Sequence, residues 1–160
     1  MNYVRGRQIS LTVQHMHLKQ LYPEGQGSVV RDRLVWLQRI RPHPLCHEYL
    51  CRFEYSLDGY PKAYVLDPPL TQLAAGRDLP HVRSSREPVA MCLFVYDETC
   101  WNPTMLFGKV VVPMAFFWLA CFEDWLFSGE WRGGGTHSIT PCVPSATPIF
   151  PSDFDIRQVA

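Results

Sequence analysis

The first hydrophobic period in the chain is helical. Ile9, Val13, Met16 and Leu21 recur at three- to five-residue steps in "ISLTVQHMHLKQL". That spacing predicts an amphipathic helix over 9–21, closed by Pro23 and Gly25. His15 and His17 are two apart, share no face of such a helix, and are read as surface residues. The period then shortens to two. In "RLVWLQRI" (33–40), Leu34, Trp36 and Gln38 alternate with Val35, Leu37 and Arg39. Over 47–56, Tyr49, Cys51, Phe53 and Tyr55 take one face and Glu48, Leu50, Arg52 and Glu54 the other. A third extended run, "AYVLDPP", covers 63–69. Turn chemistry at "RPHP" (41–44) and "LDGY" (57–60) joins the three into an antiparallel meander.

Residues 67–88 hold no period, with Pro68, Pro69, Gly76 and Pro80 interrupting them. A loop of that length inside a compact domain is usually functional or mobile. It leads into "AMCLF" (90–94), strand-like if extended, and then a Trp101-Asn102-Pro103 turn. From there to Phe127 the chain is apolar almost all round, the pattern of a buried helix. Pro113 suits a first turn, where no backbone donor is lost, so this helix is expected to begin near Val112 and to stop at Gly129. The tail, 138–160, carries Pro141, Pro144, Pro148 and Pro151 and is expected to be extended and dispensable for the fold. The expected fold class is α+β, with one domain over 1–137.

Composition narrows the function. The chain has 160 residues, 47% hydrophobic and 19% charged, which suits a single globular core. Fifteen basic and fifteen acidic residues cancel, which argues against a nucleic-acid surface. Lysine is scarce: Lys19, Lys62 and Lys109 are the only three. Codon bias explains that, or avoidance of self-modification by an enzyme whose chemistry targets lysine. No secretory signal is visible in "MNYVRGRQIS", and the apolar run 110–122 is too short for a membrane span. Six scattered cysteines in a domain of this size are expected as reduced thiols in the cytoplasm.

Candidate chemistry centres on cysteine. Cys92 is either inert core sulfur beside Ala90 and Phe94, or a nucleophile served by His81, Arg83 and Arg86 from the preceding loop. Cys100, in a turn, is the more exposed by pattern, and Cys121 belongs to the core of the apolar helix. His43, Cys46, His47 and Cys51 lack the paired spacing of a zinc site, and no metal or cofactor is expected. A Cys-His hydrolase is a further reading, with His81 or His137 as base and Asp97 as orienter. "WRGGGTH" (131–137) lacks the Lys-Ser/Thr of a phosphate loop and reads as a tightly packed loop.

The order of these parts resembles the ubiquitin-conjugating enzyme fold. In that family His-Pro-Asn precedes a Cys-Leu pair, and Trp-Ser-Pro follows. Here "LPHV" places His81 eleven residues before Cys92-Leu93, "WNP" begins at 101, and "YPKAYVLDPPL" is similar to the Tyr-Pro…Pro-Pro segment leaving the meander. The chain is closer still to the bacterial subgroup found in CBASS antiphage operons. The likeness runs through Leu79-Pro80-His81, Cys92-Leu93, Trp101, Pro113, Trp118-Leu119, Glu123, Trp125, Gly129, Trp131, Gly133-Gly134 and His137, over residues 30–137.

That resemblance implies a thioester on Cys92. It also implies transfer of a partner's C-terminal carboxylate, that of a cyclic-oligonucleotide synthase (CD-NTase), to a target amine. His81, Trp101, Asn102 and His137 are implied as supporting residues, with His81 shaping the loop. The family's Asn has no counterpart, since Val82 and Arg83 follow His81. Ser84, Ser85 or Asn102 is left to serve the oxyanion. An inactive scaffold with Cys92 buried is the alternative.

Overall fold

A computed structural model describes residues 7–94 and 99–134. Helix α1 is Leu11–Leu21 and is capped by Ser10, whose Oγ accepts the Val13 N–H at 3.3 Å. The strands β1 (Gln26–Val30), β2 (Arg33–Ile40), β3 (Tyr49–Tyr55) and β4 (Lys62–Asp67) follow. Then come a short α2 (Leu70–Ala74), β5 (Val82–Ser84), β6 (Val89–Met91) and the long α3 (Phe107–Ser128). All the strands pair antiparallel in one sheet of order β1-β2-β3-β4-β6-β5. After β4 the chain crosses to the far edge through α2, lays down β5, and turns back to insert β6.

Period-two alternation decides which face carries the core. Leu34, Trp36 and Ile40, then Tyr49, Cys51, Phe53 and Tyr55, then Ala63 and Val65, are all buried on one side. Helix α3 lies along that side and opposite in direction to β3. Phe107 meets Phe53 and Tyr55 with ring centroids 6.0 and 5.8 Å apart, and Phe122 meets Tyr49 at 6.4 Å. Nine α3 residues are buried there. The helix is long and apolar enough, by length and composition, to cross a bilayer, but its inner stripe is core.

Four expectations change. First, α1 buries Leu11, Gln14 and Leu18, whereas Val13 and Met16 are 49% and 65% exposed. The polar Gln14 occupies the middle of the inner stripe because it caps another helix. Its Oε1 accepts the Phe107 N–H at 2.8 Å and its Nε2 donates to the Met105 carbonyl at 2.7 Å. Second, α3 therefore starts at Phe107, five residues before Val112, and Pro113 sits inside it. The proline ring is exposed, so the helix loses one backbone donor on its wet side and continues. Third, β1 exists despite its glycine. Gly25 and Gly27 pass directly over the Trp36 indole, where any Cβ would collide. Fourth, the segment 67–88 contains α2 and β5. Glu87 organises it, its Oε1 accepting from the Thr71 N–H and hydroxyl at 2.9 and 2.7 Å. His15 and His17 are half-buried; His15 lies edge-on to Trp36, and its Nε2 is 3.0 Å from the Gly27 carbonyl. His137, Asp97 and the tail 138–160 lie outside the described residues.

Candidate active site

Strand β6 ends at Met91, and Cys92 is the first residue past it. Its backbone remains in the ladder on the β5 side. The Cys92 N–H donates to the His81 carbonyl at 3.1 Å, and the Trp118 Nε1–H donates to the same oxygen at 2.9 Å. One carbonyl thus ties the residue after β6 to the middle of α3. Cys92 as a residue is half-buried.

His81 adopts φ 47°, a left-handed conformation uncommon for a side chain larger than glycine. Its imidazole stacks on Trp131, with ring centroids 4.9 Å apart and planes 21° from parallel. Trp131 leans on Trp118 at 5.6 Å, Trp118 stacks on Phe122 at 5.4 Å, and Phe122 meets Trp125 at 5.6 Å. Arg77 closes the row 4.3 Å above the Trp125 ring, and its guanidinium donates to the last α3 carbonyls, Trp125 and Leu126, at 3.4 and 3.2 Å. Both ends of the 77–81 loop are therefore pinned to α3. The 131–134 segment folds back on the same row because Gly133 permits it. A Cβ there would stand 2.7 Å from Trp131 Cζ2 and 3.1 Å from Cys121 Sγ.

A bulge separates Val82 and Ser84 in their pairing with β6, leaving Arg83 as the extra residue. Bulges re-aim side chains, and here the Arg83 guanidinium reaches over the strand to donate to the Phe94 carbonyl at 2.6 Å. That places the guanidinium at the Phe94 backbone, two residues past Cys92. Ser84 Oγ accepts the Arg86 N–H at 3.2 Å within the hairpin turn.

The Trp101-Asn102-Pro103 turn is built from two kinds of residue. Trp101 is core, edge-on to Tyr55 at 5.2 Å and to Phe107 at 5.8 Å. Asn102 closes the turn, its Oδ1 accepting from the Thr104 N–H and hydroxyl at 3.0 and 2.6 Å. The Pro103 carbonyl accepts the Ile9 N–H at 2.8 Å, which anchors the turn to the start of α1.

Exposure sets the buried Cys51 and Cys100 apart from Cys46, Cys92 and Cys121, which are half-buried. Cys100, the more exposed by pattern, is only 7% exposed. Cys121 is half-buried, not core, and burial with the nearby Asp124 pushes its thiol up to about 11. Burial also raises Cys51, and burial with Glu123 raises Cys46. High thiol pKa values keep these groups protonated and poorly nucleophilic. The five described cysteines are all free thiols. His47 turns to α3, where Glu123 Oε1 takes its backbone N–H and faces its Nδ1, both at 2.9 Å, and accepts from the Tyr49 hydroxyl. Among the described residues no group of three or more His, Cys, Asp or Glu side chains is placed to hold a metal.

Sequence reasoning missed Gln14, Arg77 and the inward role of Glu123. Gln14 is polar, so the hydrophobic period of α1 does not mark it as an inward residue. Trp118 and Trp131 were visible as recurring tryptophans, but their purpose, holding His81 from carbonyl and ring, was not.

No curated protein matches the chain. A family model described as "Type II CBASS E2 protein" matches residues 14–138, more than half of the sequence. The helix–sheet–helix architecture is that of a ubiquitin-conjugating-like fold, and family membership carries a ubiquitin-conjugating-like role in CBASS defence. The chain belongs to the Type II CBASS E2 protein family.

Proposed function

We propose that Cys92 is the acyl-carrying nucleophile of this conjugating protein. Its partner is a CD-NTase, whose C-terminal carbonyl is held as a thioester and passed to an amine on a target. The supporting observation is the placement of Cys92. It is half-exposed just beyond β6, with its backbone fixed through the His81 carbonyl to Trp118. A thiolate there attacks an activated acyl group, and the resulting thioester yields readily to an amine. Arg83, held at the Phe94 carbonyl two residues past Cys92, contributes positive potential to this corner. His81 acts through the loop, its ring engaged by Trp131. Trp101 and Asn102 shape the following turn, and His137 is kept as a supporting residue. The partial exposure of Cys92 favours this reading over an inactive scaffold with a sealed cysteine.

The test is co-expression with the neighbouring operon genes, followed by denaturing gels with and without reductant. An adduct cleaved by reductant, lost in Cys92→Ala and turned into a reductant-resistant ester in Cys92→Ser, is the expected result. If no adduct forms with any operon partner, Cys92 is not the carrier.

A further inference from the structure

The pairing of β4 with β6 ends at Tyr64 and Ala90, and a pocket of about 150 Å³ opens there. Ala63 and Val65 are buried in the core, so Lys62 and Tyr64 belong to the opposite face of β4. Ala90, Met91 and Leu93 give the pocket apolar walls, and Lys62, Tyr64 and Arg83 give it polar ones. Cys92 is not itself a wall, but the walls flank it on both sides along the chain. Small-molecule sites run to roughly 300–1,000 Å³, so a cavity of this size suits a single side chain. The corner is cationic. Lys62 is exposed and, among the described residues, makes no ion pair. Glu54, its cross-strand neighbour on β3, engages Arg33 and Arg52 instead, at 3.7 and 3.0 Å. Arg52 in turn stands 4.9 Å from the centre of the Tyr64 ring, and Arg83 is held at the Phe94 carbonyl. No acidic side chain is among the described walls.

We propose that this pocket selects the acceptor: it receives an aspartate or glutamate lying one or two residues from the acceptor lysine of the target, with Lys62 as the counter-ion. A protonated lysine that enters this corner alone meets like charge from Lys62 and Arg83. A carboxylate carried beside it offsets that repulsion and gains a charge-assisted hydrogen bond. The apolar walls shelter the pair from water and strengthen it. Extended chain advances about 3.3 Å per residue, so an acid one or two positions away matches the offset between Cys92 and the walls that flank it. The transfer is then the ordinary one. The neutral target amine attacks the thioester carbonyl, the C–N bond forms, the C–S bond breaks, the Cys92 thiolate leaves, and the surplus proton passes to water. The inference rests on the carrier role of Cys92.

A peptide bearing a C-terminal glycyl thioester tests it without any charging partner. Thiol exchange loads the peptide on Cys92, and short acceptor peptides with one lysine then discharge it, followed by mass spectrometry. The acceptors differ only in carrying Glu or Gln two residues after the lysine. The Glu peptide is expected to discharge the thioester about fivefold faster at subsaturating concentration, the size of one partly sheltered ion pair, and high salt should shrink that advantage. Lys62→Gln should bring the two peptides to equal rates, and Lys62→Glu should turn the preference toward a peptide with Arg in place of Glu. Equal rates in the parent, an advantage that survives Lys62→Gln, or a gain seen only when the acid is placed in the loaded donor peptide overturns the proposal and leaves the carrier reading standing. Failure of Cys92 to accept the peptide overturns both.

Discussion

His81 is placed by its backbone more than by its ring. Its carbonyl serves Cys92 and Trp118 together, its φ is positive, and its imidazole lies flat on Trp131. His81→Gly should therefore keep the loop geometry and load peptide thioester within a few-fold of the parent. A β-branched His81→Val forces an unfavourable conformation and should cost about 1–3 kcal/mol in urea unfolding. If His81→Gly abolishes loading with the fold intact, the imidazole is itself needed. Trp118→Phe keeps the stack but removes the donor. It should lower stability by about 1 kcal/mol and slow the loading of Cys92; an unchanged rate would mean that the β5–β6 ladder alone sets the carbonyl. The His-to-Cys spacing was legible in the sequence. The engagement of the ring was not, because Trp131 lies fifty residues further on and only the fold brings it back.

Between elements, α1 holds the start of α3. Gln14 caps it, and the Tyr22 hydroxyl donates to the Gly108 carbonyl at 2.8 Å. Gln14→Leu leaves the Phe107 N–H and Met105 carbonyl unpaired in the interior and should cost about 2–4 kcal/mol by chemical denaturation. Burial raises the Tyr22 pKa from 10.0 to about 12. Folding therefore favours the neutral phenol. Its contribution is fully present below pH 10.0 and is lost as pH rises through about 12. Tyr49, raised by burial and by Glu123, acts in the same direction. Urea midpoints should fall across that alkaline window, and Tyr22→Phe should flatten the fall. An equal slope in the variant would remove Tyr22 as a cause. Strands β2 and β3 were readable because alternation is local. The start of α3 was misread because a proline rule was applied to a helix whose first turn is capped by a side chain ninety-three residues away.

For the molecule as a whole, the aromatic row from Arg77 to His81 joins α3, the 77–81 loop and the glycine-rich segment into one unit. Gly133→Ala inserts a methyl against Trp131 and Cys121. It should cost about 1–3 kcal/mol as overpacking and change the near-ultraviolet dichroism of the tryptophans. Unaltered spectra and stability would show that this segment does not brace the site. By sequence alone the chain determined its α+β class, the face of each central strand, and the order of motifs around Cys92. These depend on residue types and spacings that act within a few positions. Tertiary structure decided that Cys51 and Cys100 are buried while Cys92 is not, that a glutamine belongs in the core, and that β6 slips between β4 and β5. Those outcomes depend on which distant segments share a surface, and neither hydrophobic period nor turn chemistry records that.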